Sequence, residues 1–343
     1  MANRYRIGIA GLDHWYVGLA AAESAARNPK LDLVAIAHRD PERLHETAAR
    51  FGAKHATTNY REVIERDDVD VVVTACYTSE NADLVEAAAK AKKHVVSVKP
   101  IAMTVADADR VVRAVQDNGV KFISNESPYR TYPAIVQMKK WLDSGKLGRP
   151  ITAYTCLRAP IPRQWWPGRF GDTWWLDPTK SPGGGWIDHA IYHVDALRWL
   201  FGSEVAQVSG TVANLVDRSL KPGMEDFGVA NVVFEAGQIA VVEVTWTAKV
   251  GGSYNAFQIV GTEGQAVYDT TTSGKLAAVG NFDVPGWFQV DAGPQNYSVL
   301  DHLIDCLEDD RPTVADVADA RANLRACLAF YEAAKSGRAV SLK

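Results

Sequence analysis

Short apolar, β-branched runs alternate with helical periods along the first third of this chain, and few folds accept that pattern. The runs fall at residues 6–10, 31–37, 69–74, 94–98 and 120–124, and the periods at 17–27, 41–51, 81–91 and 105–118. Strand-helix alternation at this spacing predicts right-handed crossovers and a doubly wound parallel sheet of the dinucleotide-binding kind. In His94-Val95-Val96-Ser97-Val98-Lys99-Pro100 an amine closes such a run and a proline stops the strand. The carboxyl ends of parallel strands open onto the ligand crevice, so Lys99 is expected to face a ligand.

A length of 343 residues exceeds one ordinary core and predicts two domains, placed at 1–127 and 128–343. A helix at 133–143 leads to a change of texture at Gly148-Arg149-Pro150. Strands are then expected at 151–159, 205–215, 228–234, 238–247, 256–261 and 266–269, with helices at 186–201, 298–307 and 314–336. Val232-Val233-Phe234, a Glu-Ala-Gly turn and Ile239-Ala240-Val241-Val242 read as a hairpin, so this second sheet should be largely antiparallel. The fold class is therefore α/β, an N-terminal parallel sheet plus a C-terminal α/β domain with a large, mostly antiparallel open sheet. An uncovered sheet of that breadth predicts self-association, as a homodimer or homotetramer.

A formal charge of −4 without basic clusters leaves no footprint for nucleic acid or an anionic membrane. The four cysteines have no C-x-x-C spacing, which reads as reduced, buried thiols. No apolar run is long enough to span a bilayer, and Met1 leads almost directly into a strand, so the cytoplasm is the expected compartment.

Gly8-Ile9-Ala10-Gly11-Leu12-Asp13-His14-Trp15-Tyr16-Val17-Gly18 lies where the first strand turns into the first helix. A dinucleotide fingerprint there would run G-x-G-x-x-G from Gly11. Only Gly11 fits, because Asp13 and Tyr16 hold the second and third glycine places. At the end of the second strand His38-Arg39 replaces the acid that would bind the NAD ribose and offers cationic donors, a lean towards the 2′-phosphate of NADP. The expected cofactor contacts are Gly11, Asp13, His14, Trp15, His38, Arg39, Thr78, Lys99 and Pro100.

Four segments together resemble the Gfo/Idh/MocA family of glucose-fructose oxidoreductases, inositol dehydrogenases and relatives. They are residues 37–43, the run ending in Val98-Lys99-Pro100, residues 145–151, and Gly183-Gly184-Gly185-Trp186-Ile187-Asp188-His189-Ala190-Ile191-Tyr192-His193-Val194-Asp195. The resemblance covers nearly the whole length and implies hydride transfer between NAD(P) and a sugar, cyclitol or related polyol. The family's Glu-Lys-Pro stands here as Val98-Lys99-Pro100, so its lysine is kept and its acid lost. Its later Asp and His fall on His189 and His193 when counted from the glycines, and on Asp188 and Tyr192 when counted back from Asp195.

Both registers are chemically workable, since residues four apart stack along one helix face. His193 is the first choice as proton carrier and Tyr192 the second, with Lys99 stabilising charge on the reacting oxygen. No metal is expected, although two histidines four apart beside a carboxylate form a possible zinc set. Trp165, Trp166, Trp174 and Trp175 crowd one irregular segment with Arg163, and with Asp188 form the expected contacts to a small-molecule sugar or polyol. The rival readings are a redox-assisted glycosidase or lyase, and a binding or regulatory protein without chemistry.

Overall fold

The computed structural model describes residues 4–272, 275–293 and 298–342. Six parallel strands form the first sheet: β1 (Tyr5–Ala10), β2 (Leu31–Ala37), β3 (His55–Thr57), β4 (Val71–Thr74), β5 (His94–Ser97) and β6 (Phe122–Ser124). Their order, β3-β2-β1-β4-β5-β6, is that of a dinucleotide-binding sheet. The apolar runs build it because both faces are covered: Val71, Val72 and Val73 are all fully buried. The helices between strands are α1 (Trp15–Arg27), α2 (Pro41–Phe51), α3 (Tyr60–Glu65), α4 (Thr78–Lys90) and α5 (Val105–Asn118), followed by α6 (Pro133–Asp143).

The second sheet has nine strands. They are β7 (Pro150–Arg158), β10 (Val205–Ala213), β11 (Phe227–Phe234), β12 (Ile239–Thr245), β13 (Tyr254–Gly261), β14 (Gln265–Asp269), β15 (Lys275–Val279), β16 (Phe288–Asp291) and β17 (Val340–Ser341). Every pairing is antiparallel except that of β7 with β12. The helices α7 (Gly185–Phe201) and α9 (Val317–Ser336) pack on this sheet. A two-stranded ribbon, β8 (Gln164–Trp166) with β9 (Arg169–Phe170), carries the tryptophan-rich segment towards α1. The helix α8 (Val299–Glu308) returns to the first sheet, where Asp301 accepts from Ser24 and Asn28 at 3.0 and 2.9 Å.

Two local arrangements fix the site. At the end of β5, Asn81 Nδ2 donates to Ser97 Oγ (2.9 Å) and to the Ile101 carbonyl (2.9 Å), while Thr74 Oγ1 accepts from Val98 N (3.1 Å). These bonds hold the Lys99–Pro100 turn, whose peptide is cis. At the start of α7 three glycines let the helix approach its neighbours: a Cβ on Gly184 would lie 2.3 Å from the Glu225 carbonyl, and one on Gly183 would lie 2.2 Å from the Tyr331 hydroxyl.

Glu225 caps that helix, accepting from Gly184 N (3.1 Å), Trp186 N (2.9 Å) and the Tyr331 hydroxyl (2.8 Å). A carboxylate there complements the positive end of the helix dipole. Burial pushes the Glu225 pKa up to about 7 against these donors. Glu225→Gln turns one acceptor into a donor facing an N–H, and is expected to cost about 1–3 kcal/mol in chemical denaturation.

Candidate functional site

Lys99 does not stand open to a cleft. Its side chain is 1% exposed and its Nζ donates to Asp188 Oδ1 at 2.5 Å and to the Asp188 carbonyl. Burial opposes the charge on Lys99, but Asp188 more than offsets it and the lysine pKa is raised. Conversely, burial would raise Asp188, and His189 and Lys99 hold it well below the carboxylate range. The other oxygen of Asp188 accepts from Trp246 Nε1 at 3.0 Å and lies 3.1 Å from His189 Nδ1. Burial lowers His189 to about 4, so its imidazole is neutral at pH 7.

Tyr192 lies one turn further along α7, with its ring centroid 5.0 Å from Lys99 Nζ. Burial pushes its phenol and that of Tyr16 well above their usual range. Two cavities meet at this cluster. One, of about 680 Å³, reaches Trp15, Tyr16, Arg163, Trp175, Asp188 and His189. The other, of about 380 Å³, is lined by Tyr16, Asn125, Tyr129, His189 and Tyr192 among others. Tyr16 and His189 belong to both.

Several expected residues fall elsewhere. His193, the first choice as proton carrier, is fully buried, stacked on Phe257 at 4.7 Å, and has no partner on either ring nitrogen. It lines neither cavity, because one turn beyond His189 the helix has entered the core, where His193 packs against Tyr129 and Phe257. Trp166 packs into the first half and donates to Glu46 at 3.3 Å. Trp165 and Trp174 line a third cavity of about 600 Å³ with Asp13, Arg43 and Tyr77, on the side of the expected cofactor rather than the substrate. Trp15 points the other way, into the 680 Å³ cavity. Tyr16 and Trp246 were not anticipated; one looked like a lost glycine and the other like the end of an ordinary strand.

Burial holds His193 and His14 down to about 3. An unfolded chain takes protons on these groups near 6.5, whereas the fold refuses them until about 3, so stability falls as pH drops below about 6.5. Each contributes up to about 1.4 kcal/mol per pH unit to that fall. His193→Leu is expected to flatten the acid side of thermal melts recorded from neutrality down to about pH 4, with turnover retained. An unchanged slope would contradict this.

A dinucleotide would cross the carboxyl ends of β1, β2, β4 and β5. Gly11 makes the turn there with φ +107°, and a Cβ on it would lie 2.9 Å from the backbone of Ala75 and Cys76. Thr78 Oγ1, His14 Nε2 and His38 Nε2 are buried along this path without partners. With Arg39 at the end of β2 this donor set fits NAD(P). His38 is a correction: it is 1% exposed and burial lowers it to about 3, so it is neutral, and the cations there are Arg39 and Arg43.

Asp13 is the exception within that set. It is 5% exposed, accepts from Arg39 (3.2 Å) and Tyr60 (2.9 Å), and burial raises its pKa to about 6 against them. Trp174 Nε1 donates to the Asp13 carbonyl at 3.0 Å, and the rings of Trp174 and Trp175 pack on His14 at 4.6 and 5.2 Å. Among the described residues no three His, Cys, Asp or Glu side chains group as metal ligands.

Residues 5–126 match a family described as an oxidoreductase family with an NAD-binding Rossmann fold, and residues 135–267 match the GFO/IDH/MocA C-terminal domain. The chain is 29% identical to a myo-inositol 2-dehydrogenase of Thermotoga maritima over 77% of its own length and 75% of the relative's. It is 25% identical to a scyllo-inositol 2-dehydrogenase (NAD(+)) of Bacillus subtilis, over 100% and 97% of the two chains. An oxidoreductase domain protein from Kribbella flavida superposes with a TM-score of 0.87 at 23% identity, covering 100% of both chains, which shows the shared fold.

Proposed function

The chain belongs to the GFO/IDH/MocA family of oxidoreductases, and from that premise we propose that it transfers hydride between NAD(P) and a secondary alcohol or ketone of a sugar, cyclitol or sugar derivative. The observation that carries this reading is the meeting of Lys99, Asp188 and His189 where two cavities join. The names of the inositol dehydrogenase relatives support a polyol substrate. Gly11, Arg39, Thr78 and the amino end of α1 would hold the cofactor. When bound, nicotinamide supplies the hydride acceptor for oxidation or the donor for reduction.

The proton chemistry belongs to the side chains. Neutral His189 takes the hydroxyl proton of a substrate alcohol, and Asp188, 3.1 Å from its Nδ1, stabilises the imidazolium that forms. Lys99 keeps Asp188 ionised and sets a fixed positive charge behind the reacting oxygen. Tyr16 and Tyr192 stay protonated at neutral pH and serve as hydrogen-bond donors to that oxygen. In the reducing direction the same groups return the proton.

A lean towards NADP rests on Arg39, and the proposal places a homodimer or homotetramer in the cytoplasm. Among the described residues no helix is long and apolar enough to cross a membrane. The test is a panel of hexoses, inositols and their keto forms with NAD and NADP, read by the absorbance of reduced nicotinamide. Turnover of at least one polyol is expected. No turnover across the panel, together with no quenching of protein fluorescence by either nucleotide, would overturn the reading.

A further inference from the structure

We propose that the 680 Å³ cavity takes a glycoside with a flat, apolar aglycone, so that the substrate is a sugar carrying an aryl or similar group and not a free monosaccharide. This rests on the function proposed above and names its substrate class. At about 680 Å³ the cavity is more than the roughly dozen heavy atoms of a hexose fill. It lies in the range of cavities that hold drug-sized ligands, about 300–1,000 Å³.

Its two ends differ in chemistry. At the inner end Tyr16, Asp188 and His189 present polar atoms to a sugar ring, with Trp175 flat beside Tyr16 at 6.1 Å between centroids. Elsewhere Pro160, Ile161, Phe170, Val216 and Val250 line it with apolar side chains, with Arg163, Gln164 and Lys249 interspersed.

The rim supplies an independent observation. Phe170, Val216 and Val250 are 64, 58 and 82% exposed, and they come from three separate segments: β9, the loop after β10 and the loop after β12. Single exposed apolar residues are ordinary, but three converging on one mouth form a patch of the kind that marks a binding site. A flat apolar group leaving the sugar pocket would rest against this collar. The cavity also carries two cations at its margin, Lys249 beside Val250 and Arg163, the latter held by Asp172 (3.1 Å) and Asp217 (2.9 Å).

The experiment compares free hexoses with their methyl and phenyl β-glycosides in glucose and galactose configurations, each with NAD or NADP. From methyl to phenyl the KM is expected to fall on the order of 10- to 100-fold, with kcat little changed. Val250→Asp, at a position too exposed to threaten folding, should erase that advantage, and fluorescence titration with the phenyl glycosides should show the same loss. A KM for phenyl glycosides no lower than for methyl glycosides or free sugars would overturn the aglycone and leave the oxidoreductase intact. Turnover of no member of this panel, with no binding of the phenyl glycosides in the fluorescence titration, would overturn the aglycone, while the oxidoreductase reading stands or falls on the hexose, inositol and nucleotide test given above. If Val250→Asp altered only the sedimentation of the protein, the collar would be a contact between two copies of the chain, and the proposal would fail.

Discussion

Lys99→Met should lower kcat by about 100- to 1,000-fold while leaving NAD(P) affinity nearly unchanged. In the proposed mechanism the ammonium is the fixed positive charge behind the reacting oxygen, and its removal also leaves Asp188 buried without its main partner. Breaking a buried ion pair on one side costs about 3–5 kcal/mol, so lost activity alone could reflect lost fold. Lys99→Met/Asp188→Asn separates the two effects because it removes both charges at once. The double variant should recover most of the melting temperature and none of the rate. Recovery of rate with stability would make the pair structural, and full activity in Lys99→Met would refute its role outright.

The parts of this site that were legible and those that were not differ in physical kind. The β-branched runs that end at Thr74 and Ser97 dictate a doubly covered parallel sheet, and the strand end at Lys99 follows from where such sheets bind ligands. The hairpin of β11 and β12 was equally plain. The short pieces β3 and α3 were not, because their half-exposed polar residues have no periodicity to read. The helix register was undecidable for a different reason. Asp188 with Tyr192 and His189 with His193 are equally good stripes on an isolated helix. Only the reach of Lys99 across from the first sheet, and the packing of Phe257 against His193, distinguish them. The structure then mixes the two registers, since Asp188 and His189 are neighbours and both face the cavity.

The same limit applied to Asp13. Read along the chain it was a lost glycine, yet folded it becomes a charged group lying in the path of a dinucleotide. Asp13→Asn should tighten binding of both nucleotides by on the order of 100-fold, since a buried carboxylate a few ångströms from a diphosphate opposes it by several kcal/mol at an effective dielectric near 20. The fold should tolerate the change. Burial raises the Asp13 pKa to about 6, above its ordinary 3.8, so keeping it ionised at neutral pH costs the folded state, and a neutral amide removes that cost. Wild-type affinity for NAD should therefore rise as pH falls through about 6 and the charge is lost, whereas Asp13→Asn should bind NAD equally well on either side of that pH. NADP should gain more than NAD, because Arg39, released from Asp13, keeps only one carboxylate partner, Glu80, beside Tyr60 and the face of Tyr77, and can turn to a 2′-phosphate. Calorimetric titration of both nucleotides from about pH 5 to 8 measures all three effects. Affinity independent of pH in the wild type, or weakened in Asp13→Asn, would mean that the carboxylate helps to hold the cofactor and that Arg39 is its support.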